Sequence, residues 1–270
     1  MTTTDPSAPP SRELLLMEIR ALWEMSAFFT SYPLLRLAPR GDGHPVLVLP
    51  GLAASDTSTR PLRRYLKDQG YAAHGWKLGA NHGPRPGAED RMQERLAELH
   101  ARYGRKVSLV GWSLGGIFAR EMARRAPEQV RSVITLGSPF AGAPKASNAW
   151  KLYERASRRS VEDWPDRESM KTPPPVPSSA IFSRSDGIVA WQGCLEREGP
   201  TSENVEVEGS HCGLGHNPTV LYAIADRLAQ SEGAWKRFDR SGLRSLIYPD
   251  PRRTGSWSEK MSARRAAAAV

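Results

Sequence analysis

The segment that most constrains the fold is 107–125, where an apolar run of strand type leads into Gly-Trp-Ser-Leu-Gly and then into a helical pattern. Ser113 is the central residue of that pentapeptide. A serine on a tight strand-to-helix turn needs small neighbours, and Gly111, Gly115 and Gly116 remove the β-carbons that would clash there. The first amides of the following helix carry partial positive charge and lie beside the hydroxyl. The segment therefore predicts that Ser113 is an exposed nucleophile on a sharp turn.

Strand and helix patterns alternate on both sides of this turn. Strand patterns occur at 46–49, 71–76, 107–110, 133–136, 179–182 and 205–207, and helical patterns at 59–69, 88–102, 117–125 and 218–230. The strands are continuously rather than alternately apolar, which is typical of parallel strands covered on both faces. We expect a single α/β domain over 12–249, built on a reduced, mostly parallel sheet of about six strands with helices on both faces.

Four segments lie outside this alternation. Residues 1–11 are polar and Pro-rich and are expected to be disordered, whereas apolar residues at helical spacing predict a helix over 12–32 that Pro33 ends or bends. Residues 140–177 interrupt the sheet pattern and are predicted to form a cap or lid insertion, with a plain surface excursion as the alternative. Residues 250–270 are expected to be a flexible basic tail.

The composition limits the function classes. The formal net charge is +9 over 270 residues, but five of the cations crowd the last twenty residues against one acid, so a nucleic-acid partner is not predicted. No apolar run approaches the roughly 20 residues that a spanning helix needs. Without a secretory signal at the N-terminus, the expected location is the cytoplasm. The two cysteines, Cys194 and Cys212, show no C-x-x-C spacing, so a zinc site built on thiolates is not expected.

Two further polar residues follow later strands. A serine hydroxyl attacks well only when a base removes its proton, and an imidazole does so best when a carboxylate fixes its tautomer. Asp186 follows the strand pattern at 179–182, and His211 follows the one at 205–207. The carboxyl ends of parallel strands share one edge, so both side chains are expected at the edge where Ser113 lies.

Other residues compete for these roles. His216 is the rival base, although its side chain could instead cap the helix that starts near Pro218. Asp186 could be a plain turn residue before Gly187. Weaker candidates for the acid are Asp56, Asp163 and Asp166. Cys194 and Cys212 lie in the loops of the acid and the base, and both a disulfide and two free thiols remain open.

The motifs resemble those of the α/β-hydrolase superfamily, in particular its serine esterases and lipases. The resemblance covers about 45–228 and rests on GWSLGG, SRSDGIV, EGSHCGLGHNP and VLVLPGLAASD. It implies that Ser113 is the nucleophile, His211 the general base and then acid, and Asp186 the orienting carboxylate. The loop after the first core strand is usually His-Gly in lipase-like members, whereas here it is Pro50-Gly51. The implied oxyanion donors are the backbone amides of Leu52 and Leu114.

The resemblance implies a carboxylesterase or lipase that acts through an acyl-enzyme without a metal or cofactor. The lid-like insertion and the apolar first helix favour an ester with an apolar acyl group. That helix is expected to pack on the domain body, with contact to a lipid interface as the alternative. Candidate pocket residues are Trp112, Phe140, Trp191 and Asn81. Amide hydrolysis, acyl transfer and a ligand-binding protein that retains the triad remain alternatives.

Overall fold

Six parallel strands form one sheet in the computed structural model of the chain, which describes residues 7–163 and 167–253. The strands are β1 Pro45–Leu49, β2 Ala72–Gly75, β3 Val107–Trp112, β4 Val130–Leu136, β5 Ser178–Phe182 and β6 Ser202–Glu206. Their order across the sheet is β2-β1-β3-β4-β5-β6. The predicted parallel sheet of about six strands is confirmed. Most of both predicted tails, and Asp166, fall in 1–6, 164–166 and 254–270 and lie outside the described residues.

Helices cover the two faces of this sheet. They are α1 Arg12–Leu16, α2 Ala21–Leu35, α3 Arg60–Asp68, α4 Ala88–Tyr103, α5 Leu114–Arg125, α6 Trp150–Ser157, α7 Arg167–Lys171 and α8 Pro218–Leu228. Val46 and Val48 of β1 pack with α2, α3 and α8, while Leu47 and Leu49 pack with α4 and α5. Because both faces are covered, β1 is buried along its whole length, which explains its continuous apolar run.

The strand order creates a crevice at the carboxyl ends of β1 and β3. The chain leaves β1 for its outer neighbour β2 and then crosses back to β3 on the other side of β1. In open α/β sheets, ligands bind at the point where the strand order reverses in this way. The register pairs Leu49 with Gly111, so the loop that starts at Pro50 and the turn at Ser113 lie side by side.

The chain enters the domain through a helical segment over 12–35, in which a 3₁₀ turn, Met17–Arg20, joins α1 to α2. The segment continues past the predicted end, and Pro33 lies inside the last turns of α2. Phe28 and Leu35 are buried against the domain body, as a packed helix requires. Several apolar side chains point to solvent, among them Leu16, Ile19, Leu22, Trp23, Phe29 and Leu34. Among the described residues, no helix is both long enough and apolar enough to cross a membrane.

The segment 140–177 connects β4 to β5 and carries α6, the 3₁₀ turn Val161–Asp163 and α7. Arg120 of α5 anchors its far end, donating to the carbonyl oxygens of Met170 and Thr172, both at 2.9 Å, and pairing with the buried Glu196. At the other end of the chain, Arg253 is buried and pairs with Glu206. The start of the predicted basic tail, residues 250–253, is therefore attached to the domain body.

Candidate active site

Ser113 occupies a strained turn between β3 and α5. Its backbone has φ 53° and ψ −122°, a conformation that a non-glycine residue adopts only when its surroundings enforce it. The Ser113 amide donates to the Leu136 carbonyl at 2.8 Å, which fixes the turn to β4. A β-carbon on Gly115 would come within 2.5 Å of the Leu49 carbonyl oxygen, and one on Gly116 would strike Ser138. The glycines after the serine are therefore required for α5 to approach the strands this closely.

Two backbone amides near the serine donate to no acceptor among the described residues. Leu52, Ser113 and Leu114 line the same cavity, and a β-carbon on Gly51 would lie 3.3 Å from the Ser113 β-carbon. Leu114 is the first residue of α5, so its amide has no acceptor within the helix. Within the described residues, the Leu52 amide likewise donates to no group. Unpaired N–H groups beside a serine are suited to hold an oxyanion.

Asn81 holds the loop that carries Leu52. Its Nδ2 donates to the Pro50 carbonyl at 2.8 Å, and its Oδ1 accepts from the Gly83 amide at 3.1 Å. Its main chain also exchanges hydrogen bonds with Ala53 and Ala54, at 2.7 and 2.8 Å. Asn81 is fully buried and does not line the cavity, so it lies behind the loop rather than in the predicted pocket.

Asp186 and His211 meet at the same edge of the sheet. The His211 Nδ1 lies 2.6 Å from Asp186 Oδ2, and Asp186 Oδ1 accepts from the amides of Ile188 and Val189 at 2.8 and 2.7 Å. Amides of its own loop thus fix one carboxylate oxygen of Asp186, while the other oxygen contacts the imidazole of His211. Trp112 joins the pair to the serine turn, because its Nε1 donates to the His211 carbonyl at 3.1 Å. Within the described residues, no hydrogen bond joins the Ser113 hydroxyl to the imidazole.

The pKa of His211 is raised above its ordinary value. Burial acts to lower it, but the charge of Asp186, the hydrogen bond to Asp186 and the charge of Glu18 together outweigh burial. An imidazole whose Nδ1–H faces a carboxylate leaves Nε2 free to accept a proton. The arrangement can therefore perform general-base and general-acid chemistry at Nε2.

The competing residues are held elsewhere. His216 lies 3.0 Å from the Ala21 carbonyl through Nε2, while Asn217, not His216, caps α8 by accepting from the Thr219 amide at 3.0 Å. Asp56 accepts from the amides of Trp76 and Lys77 at 3.0 and 3.1 Å. Asp163 accepts from Ser160, and Asp166 lies outside the described residues. Both cysteines carry free thiols, with Cys194 buried and Cys212 exposed.

An apolar cavity opens beside Ser113, between α5 and the segment 140–177. The empty space between its walls, counted together with the open solvent at its mouth, is about 730 Å³. Its apolar lining includes Leu52, Ile117, Phe140, Trp150, Tyr153, Val161 and Met170. Of the predicted pocket residues, Phe140 lies in this lining.

Trp112 and Trp191 lie outside the lining of this cavity, which departs from the prediction. The Trp112 ring packs under Gly215, where a β-carbon would come within 2.5 Å of it. Trp191 stacks on Phe182 with ring centroids 5.8 Å apart, and the Arg184 guanidinium lies 3.9 Å from its ring centroid. Both indoles therefore pack on the loops that carry Asp186 and His211 rather than on the cavity.

The sequence did not reveal that Glu18, Arg20 and Glu24 of the N-terminal helical segment contact the loops that carry Asp186 and His211. The available signal was that residues 14–25 are apolar except for these three charged residues. Among the described residues, no group of three or more His, Cys, Asp or Glu side chains is arranged to hold a metal ion.

Comparison with known proteins agrees with this architecture. A family model described as "alpha/beta hydrolase fold" matches residues 44–168. A pimeloyl-[acyl-carrier protein] methyl ester esterase from Aliivibrio salmonicida (strain LFI1238) is 30% identical over 99 residues, which is 36% of this chain and 37% of that protein. The match therefore spans little more than a third of either protein.

Solved structures of the same fold are similar at low sequence identity. Aspergillus fumigatus lipase B superposes with a TM-score of 0.53 at 16% identity, over 71% of this chain and 54% of the lipase. A Paleococcus ferrophilus monoacylglycerol lipase superposes with a TM-score of 0.51 at 16% identity, over 69% of this chain and 96% of that protein. The parallel sheet, the serine turn after β3 and the family match over residues 44–168 together show that the chain has the α/β-hydrolase fold.

Proposed function

We propose that the chain is a serine carboxylesterase or lipase that hydrolyses esters with an apolar acyl group. The observation that carries this proposal is the convergence, at one sheet edge, of a strained serine, two unpaired amides and a buried His211–Asp186 pair. The Aliivibrio relative is described as a methyl ester esterase, which fits a carboxylic ester as substrate.

The first half-reaction forms the acyl-enzyme. His211 Nε2 takes the proton of the Ser113 hydroxyl as Oγ attacks the ester carbonyl carbon. The carbonyl oxygen becomes an oxyanion and accepts hydrogen bonds from the amides of Leu52 and Leu114. Asp186 stabilises the imidazolium, which then gives its proton to the leaving alkoxide as the carbonyl–alkoxide bond breaks. An alcohol departs and the acyl group stays on Ser113.

The second half-reaction regenerates the serine. His211 removes a proton from a water molecule, whose oxygen attacks the acyl carbonyl carbon. The same two amides hold the second oxyanion. When it collapses, the bond to Ser113 Oγ breaks, the imidazolium returns the proton to Oγ, and a carboxylic acid is released. No metal or cofactor takes part in either half.

The cavity supports an apolar acyl group. Its lining is formed by aliphatic and aromatic side chains of α5 and of the segment 140–177, directly beside Ser113. Apolar pockets bind ligands chiefly by burying apolar surface. Because α6 and α7 form one wall, the segment 140–177 would act as the lid over the acyl chain, and its outward movement would admit the substrate.

The test compares wild type with Ser113→Ala on p-nitrophenyl esters from acetate to long-chain acyl groups, with Ser245→Ala as a control for an exposed hydroxyl far along the chain. We expect Ser113→Ala to lose hydrolysis and labelling by a fluorophosphonate probe, while Ser245→Ala keeps both. The acyl-length profile then divides short-chain esterase from lipase. Labelling that persists in Ser113→Ala would refute the proposal, and labelled wild type without ester turnover would instead indicate amide hydrolysis, acyl transfer or ligand binding.

We further propose that the apolar outer side of the N-terminal helical segment contacts an anionic lipid surface. Leu16, Ile19, Leu22 and Trp23 are exposed by 69–76% on this side. Exposed arginines flank the stripe, Arg12 at the start of the segment and Arg36 and Arg40 after it. Apolar residues between cations are typical of helices that lie in a membrane interface.

A further inference from the structure

Glu18 joins the two catalytic loops to the N-terminal helical segment. Its Oε1 accepts from the Gly187 amide at 2.8 Å and from the His211 amide at 2.9 Å, and its Oε2 accepts from the Cys212 amide at 2.9 Å. Gly187 follows the acid directly, and the other two amides belong to the base and its neighbour. One carboxylate, itself only 9% exposed, thus bridges loops that follow different strands.

Two other charged residues of the same segment also form hydrogen bonds with these loops. Arg20 donates to the carbonyl oxygens of Ser185 and Gly209, at 2.5 and 3.2 Å, one in each loop. Glu24 accepts from the amide and the hydroxyl of Ser210, at 2.8 and 2.9 Å. The segment therefore bonds to residues immediately before and after both Asp186 and His211.

The loops contain glycines where the segment approaches most closely. A β-carbon on Gly187 would strike the main chain of Leu14, and one on Gly213 would strike the Glu24 carboxylate. These glycines leave room for the helix against the acid loop on one side and the base loop on the other. The N-terminal segment and the two loops therefore pack closely, with main chain against main chain at Leu14 and Gly187.

Burying Glu18 is costly unless its charge is compensated. Burial raises the pKa of its carboxyl, but hydrogen bonds from the Cys212, His211 and Gly187 amides and the charge of His211 lower it by more, so the group is held ionised. Its negative charge lies near an imidazole that becomes positive when it acts as a base.

We infer that Glu18 is a positioning residue, which fixes the Asp186 and His211 loops in mutual register and places a second negative charge beside the imidazole. This inference rests on the proposed ester hydrolysis, because it assigns Glu18 to the site where that reaction would occur. Asp186 orients the ring through Nδ1, whereas Glu18 fixes the main chain from which the ring projects. The two carboxylates act on different parts of the same residue.

Several charged or titratable groups surround the imidazole. Asp186 faces it from the loop after β5, and Glu18 faces it from the N-terminal segment. Cys212 follows His211 in the chain, and Glu24 and Arg20 of the N-terminal segment bond to neighbouring loop residues. Burial and the charge of Asp186 raise the pKa of the Cys194 thiol. Of these groups, only the two carboxylates raise the pKa of His211. Removal of either negative charge should therefore lower that pKa.

The test compares Glu18→Gln with Glu13→Gln, a control that neutralises an exposed acid of the same segment. Glutamine keeps an oxygen for the Gly187 and His211 amides but turns an NH₂ group toward the Cys212 amide. We expect Glu18→Gln to lower kcat roughly tenfold or more with little change in KM, since small displacements of catalytic groups cost this much. The acidic limb of the pH profile of kcat/KM should move to lower pH, because the charge of Glu18 helps to raise the pKa of His211.

An NMR titration of the His211 imidazole gives a readout independent of substrate, with the resonance assigned by its loss in His211→Gln. The pKa of His211 should fall in Glu18→Gln and stay unchanged in Glu13→Gln. If Glu18→Gln and Glu13→Gln give the same pH profile of kcat/KM and the same pKa of His211, the inference is wrong while ester hydrolysis stands. If wild type hydrolyses no ester, the proposed function fails and the titration still decides the role of Glu18.

A second variant keeps the test decisive if Glu18→Gln does not fold. Glu24→Gln weakens the bonds to Ser210 next to the base but leaves those of Glu18 intact. We expect a smaller loss of kcat, without the shift of the acidic limb, because Glu24 does not act on the pKa of His211. Activity equal to that of Glu13→Gln would contradict the positioning role of the segment.

Discussion

Gly137 lies so close to His211 that a β-carbon on the glycine would come within 3.0 Å of the imidazole Nδ1. The same β-carbon would lie 3.2 Å from Asp186 Oδ2. Gly137 follows β4, the strand between the one that carries Ser113 and the one that leads to Asp186. The glycine therefore forms the surface on which the histidine–aspartate pair rests.

Gly137→Ala should displace this pair. The new methyl group would lie 2.8 Å from Leu214 Cδ1 and 3.0 Å from His211 Nδ1, so these side chains must shift, and φ of +54° adds backbone strain. We expect kcat on p-nitrophenyl esters to fall about a hundredfold. Gly104→Ala is the matched control, because Gly104 has φ +58° with nothing within 4 Å of an added β-carbon. Equal activity of the two variants would contradict the placement of the pair on Gly137.

The raised pKa of His211 predicts a pH dependence. Only the neutral imidazole accepts the serine proton, so activity is lost as pH falls through the pKa in the folded enzyme. Since this pKa lies above 6.5, kcat/KM should reach half its plateau above pH 6.5. A half-point below pH 6.5 in wild type would contradict the net effect of the two carboxylates.

Asp186→Asn removes the larger of the two charge effects on His211. Burial then dominates, so the acidic limb of the residual activity should move to lower pH. The amide also disfavours the productive tautomer, and kcat should fall on the order of 10⁴-fold. Asp250→Asn, at an exposed site, should change neither the limb nor kcat. If the acidic limb of the pH profile does not move in Asp186→Asn, the pKa that governs this limb belongs to a group other than His211.

The sheet could be predicted because parallel strands covered on both faces leave a strong local signal. The pattern at 107–110 marks β3, which extends two residues further because Gly111 and Trp112 continue its pairing with β4. The structure also brings Asp186 and His211 together as predicted, since both follow directly on strands whose carboxyl ends share one edge.

The contacts of the N-terminal segment could not be predicted from local patterns. Helical periodicity is normally interpreted with apolar residues inward, yet Glu18 is buried here while Leu16 is exposed. Glu18 turns inward because amides of loops 169 to 194 positions away in the chain bond to it. Likewise, the direction of the Trp112 ring depends on its bond to the His211 carbonyl, which no local pattern encodes.

Asn81→Ala should weaken the oxyanion site without touching the substrate. The loop that carries Leu52 would lose the hydrogen bond to the Pro50 carbonyl and become mobile. Losing one oxyanion donor entirely costs about 10²–10³ in kcat, and a loosened donor should cost roughly tenfold or more. KM should change little. Asn204→Ala is the control, since Asn204 braces the Glu196 main chain in the same way, at 2.7 and 2.9 Å. Equal kcat in the two variants would argue against Leu52 as a donor.

Leu22→Ser with Trp23→Ser should abolish binding to anionic lipid. Both side chains are exposed, at 69% and 76%, so their removal leaves the core unchanged. In co-sedimentation, wild type should bind phosphatidylglycerol vesicles more tightly than phosphatidylcholine vesicles, because Arg12, Arg36 and Arg40 flank the apolar side. Leu243→Ser is the control, as Leu243 is 81% exposed elsewhere on the molecule. Two outcomes would contradict lipid contact through this segment. One is wild-type protein that sediments with neither kind of vesicle, and the other is a Leu243→Ser control that loses binding as fully as the double variant.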